Sequence, residues 1–247
     1  AAVGALALLL GAVVLPLVLV FFRSSPASVG LRRLGQSAHA VAFADDTRIT
    51  GVREALHTPE FWLLCGSYAI CGFTTSGLVG FHFIPHASEH GFSRTEASGI
   101  VTLMGVMNIA GTLGAGWLSD RYPPRKLLTI YYILRASALL VLPFITTVPL
   151  MSLFAVAYGL DFVATVPPTV MLTAERYGRR SVPVLFGWIT CVHMIGGAFA
   201  AAFAGQIHDI AGDYSIPIYT GGLLALLAAA MAFNIEPRKA TVASVAA

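Results

Sequence analysis

Long apolar stretches, separated by short polar segments, constrain this chain more than any other feature of its sequence. Each stretch is close to the ~20 residues that an α-helix needs to cross a hydrocarbon core about 30 Å thick. We therefore predict an all-α integral membrane protein with seven transmembrane helices. The predicted spans cover residues 1–22, 60–84, 97–118, 127–147, 149–173, 184–206 and 215–235.

The composition excludes several other classes of protein. Hydrophobic residues make up 57% of the 247 residues and charged residues only 11%, whereas a soluble domain carries about 25% charged residues. The mean hydropathy of +0.78 excludes intrinsic disorder, and 3 cysteines are too few for a disulfide scaffold. Cys65, Cys71 and Cys191 all fall in apolar stretches, so we expect them to be buried free thiols.

No motif in the sequence indicates catalysis or nucleic-acid binding. The chain has no G-x-x-x-x-G-K-[ST], H-E-x-x-H or G-x-S-x-G pattern. Its net charge of +3 is small and is not gathered into a basic stripe with interleaved aromatic residues. We therefore expect neither an enzyme nor a nucleic-acid-binding protein, and we expect no cofactor and no metal site.

The basic residues indicate how the helices are oriented, because cytoplasmic loops carry an excess of Lys and Arg. Placing residues 23–59 on the cytoplasmic side puts thirteen of the 15 Lys and Arg residues on that side. Arg94 alone lies on the opposite side, and Arg135 lies within a span. We therefore predict a multi-pass protein of the cell membrane (plasma or inner), with the N-terminus of this chain outside and its C-terminus in the cytoplasm.

Residues 23–59 form the one long segment between predicted spans. Residues 23–46 are rich in Ser, Ala and Gly and contain no apolar stretch of membrane length, which is typical of a flexible connector. Residues 47–57 place apolar side chains at helical spacing. That pattern favours a short helix in the membrane interface and an ordered loop about equally.

Two charged residues lie inside predicted spans, where each costs about 2.5–3.5 kcal/mol on insertion scales. Arg135 and Asp161 belong to consecutive helices, and each is 13 residues from Val148 in the turn between them. Two antiparallel helices therefore place both residues at the same depth, about 20 Å from that turn. We predict that they form an ion pair or share a water-lined cavity. A pair that only joins the two helices is an equally good interpretation.

Three further polar residues lie within predicted spans. Asn108 is followed by small residues on the same helix face, which suits close packing or a cavity. His82 and His193 can carry protons or contact an anion, because histidine titrates near neutral pH. Each of the three can instead be a hydrogen-bonded packing residue, an interpretation that is somewhat favoured for Asn108. The pair Pro167-Pro168 is expected to break the helix one to two turns after Asp161, either to expose carbonyl groups or simply to kink it.

The loop after the third span contains a recognisable signature. Residues 116–126 read GWLSDRYPPRK, which resembles the G-x-L-x-D-R-x-G-R-R motif of the major facilitator superfamily. Pro123 and Pro124 stand where that family prefers glycine and a basic residue. The resemblance implies a cytoplasmic latch that stabilises one conformation, formed by Gly116, Asp120, Arg121, Arg125 and Lys126.

Three other stretches resemble the monocarboxylate and oxalate–formate porters of this superfamily. They are REALHTPEFWLL at 53–64, HFIPHASEHGFS at 82–93 and GQIHDIAGDY at 205–214. The resemblance assigns the first span to the sixth family helix and the other six to the seventh through twelfth. The implied organisation is a sixth-like helix at 1–22, a central cytoplasmic loop with a short interfacial helix at 23–59, a six-helix C-terminal transporter half at 60–236 and a cytoplasmic tail at 237–247.

The resemblance implies part of a secondary active transporter that moves a small organic anion, such as a monocarboxylate, by alternating access. Coupling to protons and exchange are both open. The expected partners are the small-molecule solute, the lipid bilayer and the missing N-terminal helices of the same transporter. Because the family binds substrate near the midplane between its two halves, the implied cavity candidates are His82, Asn108, Asp161 and His193. Arg135, on a peripheral helix, is expected to reach inward to Asp161.

Two alternatives stay open. Anion porters of this branch often carry an arginine on the eighth-like helix, and the third span here has none, so an exporter of drugs or other solutes is the alternative. A seven-helix receptor is more distant. Its topology and Asp120-Arg121-Tyr122 fit, but residues 23–59 are too long for the usual connection between helices, and the last span has no N-P-x-x-Y.

Overall fold

The structure is a computed structural model that describes residue 4, residues 8–22 and residues 49–236. Its described residues form helices, turns and connecting segments, with no β-strand among them. The chain divides into two compact units, Ala1–Asp45 and Asp46–Ala247.

The described part of the first unit is one apolar helix, α1 (Leu10–Phe21). It consists of 5 residues of π-helix followed by 7 residues of α-helix. The predicted span over 1–22 lies partly outside the described residues. Most of the predicted connector, residues 23–48, and the predicted tail, residues 237–247, also lie outside them.

The second unit contains 6 helices that are long and apolar enough to cross a membrane. The prediction of membrane-spanning helices is confirmed for these six stretches by length and composition. The largest differences at helix ends are five residues: α2 continues five residues beyond the predicted 84, and α6 extends five residues beyond the predicted 184–206 at each end. The helices are α2 (Pro59–Glu89), α3 (Arg94–Ser119), α4 (Pro124–Phe144), α5 (Val148–Tyr177), α6 (Arg179–Ala211) and α7 (Ser215–Phe233).

Local sequence signals explain where these helices begin. Proline occupies the first or second position of the α-helices of α2, α4 and α5, where its missing N–H costs nothing. Ser93 and Glu96 form a reciprocal capping box at the start of α3. Before α2, the segment 47–57 contains a four-residue helix, Val52–Ala55, so the helical interpretation of that segment holds for a short part of it.

The loops define the two ends of the bundle. We call the end that carries residues 120–123 the motif end and the end that carries residues 90–93 and 212–214 the opposite end. In the bundle, α2 packs against α6, α3 against α5, and α4 against α7. The backbones of α2 and α6 approach very closely, because a Cβ atom at Gly72 would overlap the carbonyl oxygen of His193, and one at Gly196 would overlap that of Ala69.

The apolar core has two parts. One contains Phe83, Phe154 and Tyr214 and lies toward the opposite end. The other contains Phe61 and Tyr177 and lies toward the motif end. Along α4, the buried Arg135 lies between core residues of the two parts.

Candidate functional site

Arg135 on α4 and Asp161 on α5 lie together in the interior of the bundle. Arg135 Nε donates to Asp161 Oδ2 over 2.6 Å, and the two side chains are 0% and 4% exposed. Arg135 Nη2 donates to the carbonyl oxygens of Asp161 at 2.8 Å and Phe162 at 3.3 Å. The guanidinium is therefore neutralised by one carboxylate and further satisfied by backbone oxygens.

The helix that carries Asp161 is interrupted directly after this residue. Its first α-helix ends at Asp161, turns cover residues 162–165, and a second α-helix begins at Val166. The sequence places the break at Pro167-Pro168, but the turns lie before the prolines. The reason is that each proline lacks the N–H that would bond the carbonyl four residues earlier, and its ring displaces that carbonyl. In the break, the carbonyls of Asp161 and Phe162 accept hydrogen bonds from Arg135.

Helix α2 supplies the remaining partners of the guanidinium. Arg135 Nη1 lies 3.0 Å from Cys71 Sγ and 3.4 Å from Thr74 Oγ1. Cys71 Sγ lies 3.3 Å from Thr165 Oγ1 in the break of α5. We call Cys71, Thr74, Arg135, Asp161 and Thr165 the central network. It joins α2, α4 and α5 at one depth.

One oxygen of the central network has no partner in the described part of the chain. Asp161 Oδ1 is buried and accepts no hydrogen bond there. Asp161 also lines a cavity of about 690 Å³ between α4 and α5, whose other walls are mainly apolar and include Leu134, Phe144 and Leu153. The ion pair thus lies at the edge of an apolar crevice rather than in a polar channel.

His193 lies between α6 and α2 and is 9% exposed. Its Nδ1 is 3.1 Å from the carbonyl oxygen of Tyr68, and its Nε2 is 3.4 Å from Ser76 Oγ. Its ring centroid lies 4.6 Å from that of Tyr68. His193 therefore packs against the stretch of α2 between Tyr68 and Ser76, which carries Cys71 and Thr74. The structure therefore places His193 beside the central network.

His82 and Asn108 lie apart from that network. His82 Nε2 is 3.0 Å from the carbonyl oxygen of Ala201 on α6. Asn108 Oδ1 accepts from Thr112 Oγ1 at 3.3 Å, and Asn108 lines a cavity of about 180 Å³ between α2 and α3. Asp161 and Asn108 thus line different cavities. The four cavity candidates are not gathered around one space.

The signature residues lie at the motif end. Arg121 stacks on the ring of Trp117, with its guanidinium carbon 4.0 Å from the ring centroid, and Arg125 lies 5.4 Å from the ring centroid of Phe233. Within residues 49–236, Asp120 forms no ion pair with either arginine. Among the described residues, no atom of another helix lies within 4 Å of the position that a Cβ atom at Gly116 would take. Lys126 is exposed.

Sequence reasoning missed several residues of the site. Cys71 contacts both Arg135 and Thr165. The Tyr158 hydroxyl donates to the carbonyl oxygen of Thr74 at 2.9 Å. A small polar or aromatic residue in an apolar stretch gives no signal of such a role. The prediction for Cys191 is wrong, because this thiol is exposed; it lies on a face of α6 that does not pack against α2.

An ion pair and a histidine–carboxylate contact near the helix ends were also missed. Arg176 Nη2 lies 2.7 Å from Glu60 Oε1 and links α5 to α2 at the motif end. His208 Nε2 lies 2.6 Å from Glu89 Oε1 and links α6 to α2 at the opposite end. Charges at or just beyond the ends of the predicted spans were the available signal, but the pairing depends on which helices are neighbours.

A bundle of membrane-length helices around a buried charged network is the architecture of a multi-pass membrane protein. The chain matches the family model of the Major Facilitator Superfamily over residues 75–246. It therefore belongs to this superfamily, whose members are transporters rather than enzymes. This membership excludes the seven-helix receptor.

Individual relatives show which members of the superfamily the chain resembles. The chain is 24% identical to monocarboxylate transporter 12-B of Danio rerio over 184 residues, which cover 72% of this chain and 38% of that protein. It is 23% identical to monocarboxylate transporter 13 of Rattus norvegicus over 147 residues, which cover 59% of this chain and 34% of that protein. The chain thus spans less than half the length of these relatives.

A solved structure shows the same fold. The E. coli fucose:proton symporter aligns over 76% of this chain and 46% of its own, with a TM-score of 0.63 and 18% sequence identity. At this identity the similarity concerns the fold alone. It confirms the predicted major facilitator architecture.

Proposed function

We propose that this chain is the C-terminal half, with one preceding helix, of a secondary active transporter that moves a small organic anion such as a monocarboxylate. In this proposal the motif end faces the cytoplasm and the opposite end faces outside, as the distribution of Lys and Arg favours. The transporter works by alternating access in the cell membrane, and the missing N-terminal helices form the other wall of the path.

The observation that carries the proposal is the central network. Charged residues inside membrane spans are expensive, and they usually mark substrate or ion pathways. Here Arg135 and Asp161 are both fully or almost fully buried and are joined to α2 through Cys71 and Thr74. The monocarboxylate transporters among the relatives support an organic anion as cargo.

The geometry favours the histidines over Arg135 as the groups that meet the anion. The guanidinium of Arg135 is already bonded to Asp161 and to two carbonyl oxygens. His193 lies beside the network, and His82 lies nearer the opposite end, so together they offer two protonatable positions along one pair of helices. A histidine side chain that binds a proton becomes cationic and thereby favours an anion.

A hydrophobic solute is the second candidate. The cavity of about 690 Å³ between α4 and α5 is large enough for a drug-sized molecule and mainly apolar. No arginine or lysine lies among residues 95–119 of α3, so this helix offers no fixed cation for a carboxylate.

Uptake by the full-length gene product in proteoliposomes tests the proposal. Radiolabelled lactate is the probe, with and without a pH gradient, and with lactate loaded inside to detect exchange. Gradient-driven uptake or counterflow supports the organic anion, and His193→Gln should then reduce it. His57→Gln, at an exposed histidine outside the spans, is the matched control. Absence of both fluxes, together with efflux of a hydrophobic dye, would overturn the anion proposal in favour of the second candidate.

A further inference from the structure

The ends of α2 and α6 are joined by a hydrogen-bonded contact between His208 and Glu89, and a second carboxylate, that of Asp209, lies near the other ring nitrogen. His208 Nε2 lies 2.6 Å from Glu89 Oε1, and His208 Nδ1 lies 3.9 Å from Asp209 Oδ1. A neutral imidazole has one N–H donor, whereas the protonated ring has a donor at both nitrogens. The Nε2–H can donate to Glu89 in either state, but only the protonated ring carries a positive charge that both carboxylates attract.

The surroundings of His208 contain no competing cation at contact distance among the described residues. Its ring stacks on Tyr214, with ring centroids 4.2 Å apart. Burial and the charges of Glu89 and Asp209 raise the pKa of Tyr214, so this phenol stays neutral near pH 7. The ring of His82 also contacts Tyr214, with ring centroids 5.2 Å apart, and among the described residues no ring contact joins His82 to His208.

The remaining titratable groups nearby belong to other contacts. The rings of His86 and His90 contact each other at a tilt of 48°, with ring centroids 4.2 Å apart. Asp213 accepts from the backbone N–H of Ser215. The groups that face His208 from neighbouring elements are therefore Glu89 of α2 and the Tyr214 phenol that precedes α7.

The pair lies where it can control separation of the two helices. Halfway along the bundle, α2 and α6 are in backbone contact at Gly72, Gly77, Gly196 and Gly197. Toward the opposite end, His82 bonds the Ala201 carbonyl, and the Glu89–His208 pair lies beyond it near the last turn of each helix. The side chains of Glu89 and His208 are 33% and 28% exposed, so protons in the surrounding water can reach them.

We infer that Glu89, His208 and Asp209 form a proton-binding site that clasps the ends of α2 and α6 together when His208 is protonated and loosens when the proton leaves. This rests on the proposed function in one respect: there, these ends face outside and the two helices line the path. The clasp would then couple external pH to opening of the outer side of the transporter.

Spin labels at the two helix ends test the clasp without any transport assay. Nitroxides are attached at Ser88→Cys and Ile210→Cys, both exposed, in full-length protein whose other reactive cysteines are replaced. Dipolar broadening is recorded between pH 5 and pH 8, the range in which histidine usually titrates. We expect the ratio of close to separated labels to fall about two- to fivefold as the pH rises, as for a partly exposed ion pair.

Variants assign the response to the site. His208→Gln and Glu89→Gln should remove the pH dependence, and His90→Gln, a histidine at the same end without contact to His208, should keep it. An unchanged spectrum over this pH range, or a full response in His208→Gln, would overturn the clasp. Because the readout needs no substrate, a failed uptake experiment and a failed clasp are distinguishable.

Discussion

Removing the two charges of the central network one at a time and then together should give strongly non-additive losses of stability. The variants are Asp161→Asn, Arg135→Met and the double variant Arg135→Met/Asp161→Leu. Asp161→Asn leaves a guanidinium that is 0% exposed without its counter-charge. Arg135→Met leaves a buried carboxylate whose Oδ1 already lacks a partner.

The magnitude follows from burial. Removing one member of a buried ion pair costs about 3–5 kcal/mol, whereas replacing both by apolar residues is often neutral or stabilising. Asp161→Asn should fall near the lower limit, about 3 kcal/mol, because Arg135 keeps its bonds to the carbonyl oxygens of residues 161 and 162. The double variant should lie within about 1–2 kcal/mol of the parent protein.

The free energies of unfolding of the parent protein and the three variants are measured by equilibrium unfolding of the full-length protein in mixed micelles. Unfolding is induced with dodecyl sulfate and followed by tryptophan fluorescence. Leu153→Ala, at an exposed position on α5, is the control for a change that leaves the network intact. Additive single losses, or a double variant less stable than either single variant, would refute the interpretation of the pair as one neutral unit.

Three further results are expected. Gly196→Ala should destabilise the protein by about 1–3 kcal/mol, because the added Cβ would overlap the backbone of α2. Gly187→Ala on the same helix would meet nothing within 4 Å and should be neutral or slightly stabilising, and thermal unfolding compares the two variants. Tyr158→Phe should cost about 0.5–1.5 kcal/mol through loss of the bond to the Thr74 carbonyl, measured by the same unfolding titration, and a larger loss would mean that the hydroxyl supports more than this bond. Of the three cysteines in this chain, a maleimide should modify Cys191 in the native protein and should modify the buried Cys65 and Cys71 only after unfolding. Peptide mapping by mass spectrometry identifies the modified cysteines, and modification of Cys71 in the native protein would contradict the packed central network.

The helices were predictable from the sequence because their signals are local. Apolar length located all six described spans, and equal spacing of Arg135 and Asp161 from Val148 placed the two charges at one depth. The predicted position of a helix break was less accurate, because a proline disrupts hydrogen bonding about one turn before its own position. The break in α5 precedes Pro167 because the proline affects the carbonyl one turn earlier.

The partners of the buried charges were not predictable in the same way. Cys71 is 64 residues from Arg135 in sequence, and the contact between them exists because α2 and α4 present these residues to each other. Apolar length fixes neither the rotation of a helix about its axis nor its neighbours. For a span that is apolar on all sides, hydrophobic periodicity gives little further information, which is also why the exposed Cys191 was predicted as buried.

The central network changes which residue can recognise an anionic substrate. A free buried arginine would be an obvious partner for a carboxylate, but Arg135 is bonded to Asp161, to two carbonyl oxygens and to α2. Binding an anion there would require breaking the ion pair and leaving Asp161 as a second buried negative charge beside the substrate. Protonation of Asp161 would remove that repulsion and release the guanidinium. If the transporter does use Arg135 for its substrate, proton binding and anion binding must therefore occur together, and Asp161→Asn should uncouple transport from the pH gradient while retaining exchange. If it does not, the same variant should lower stability and leave the coupling unchanged.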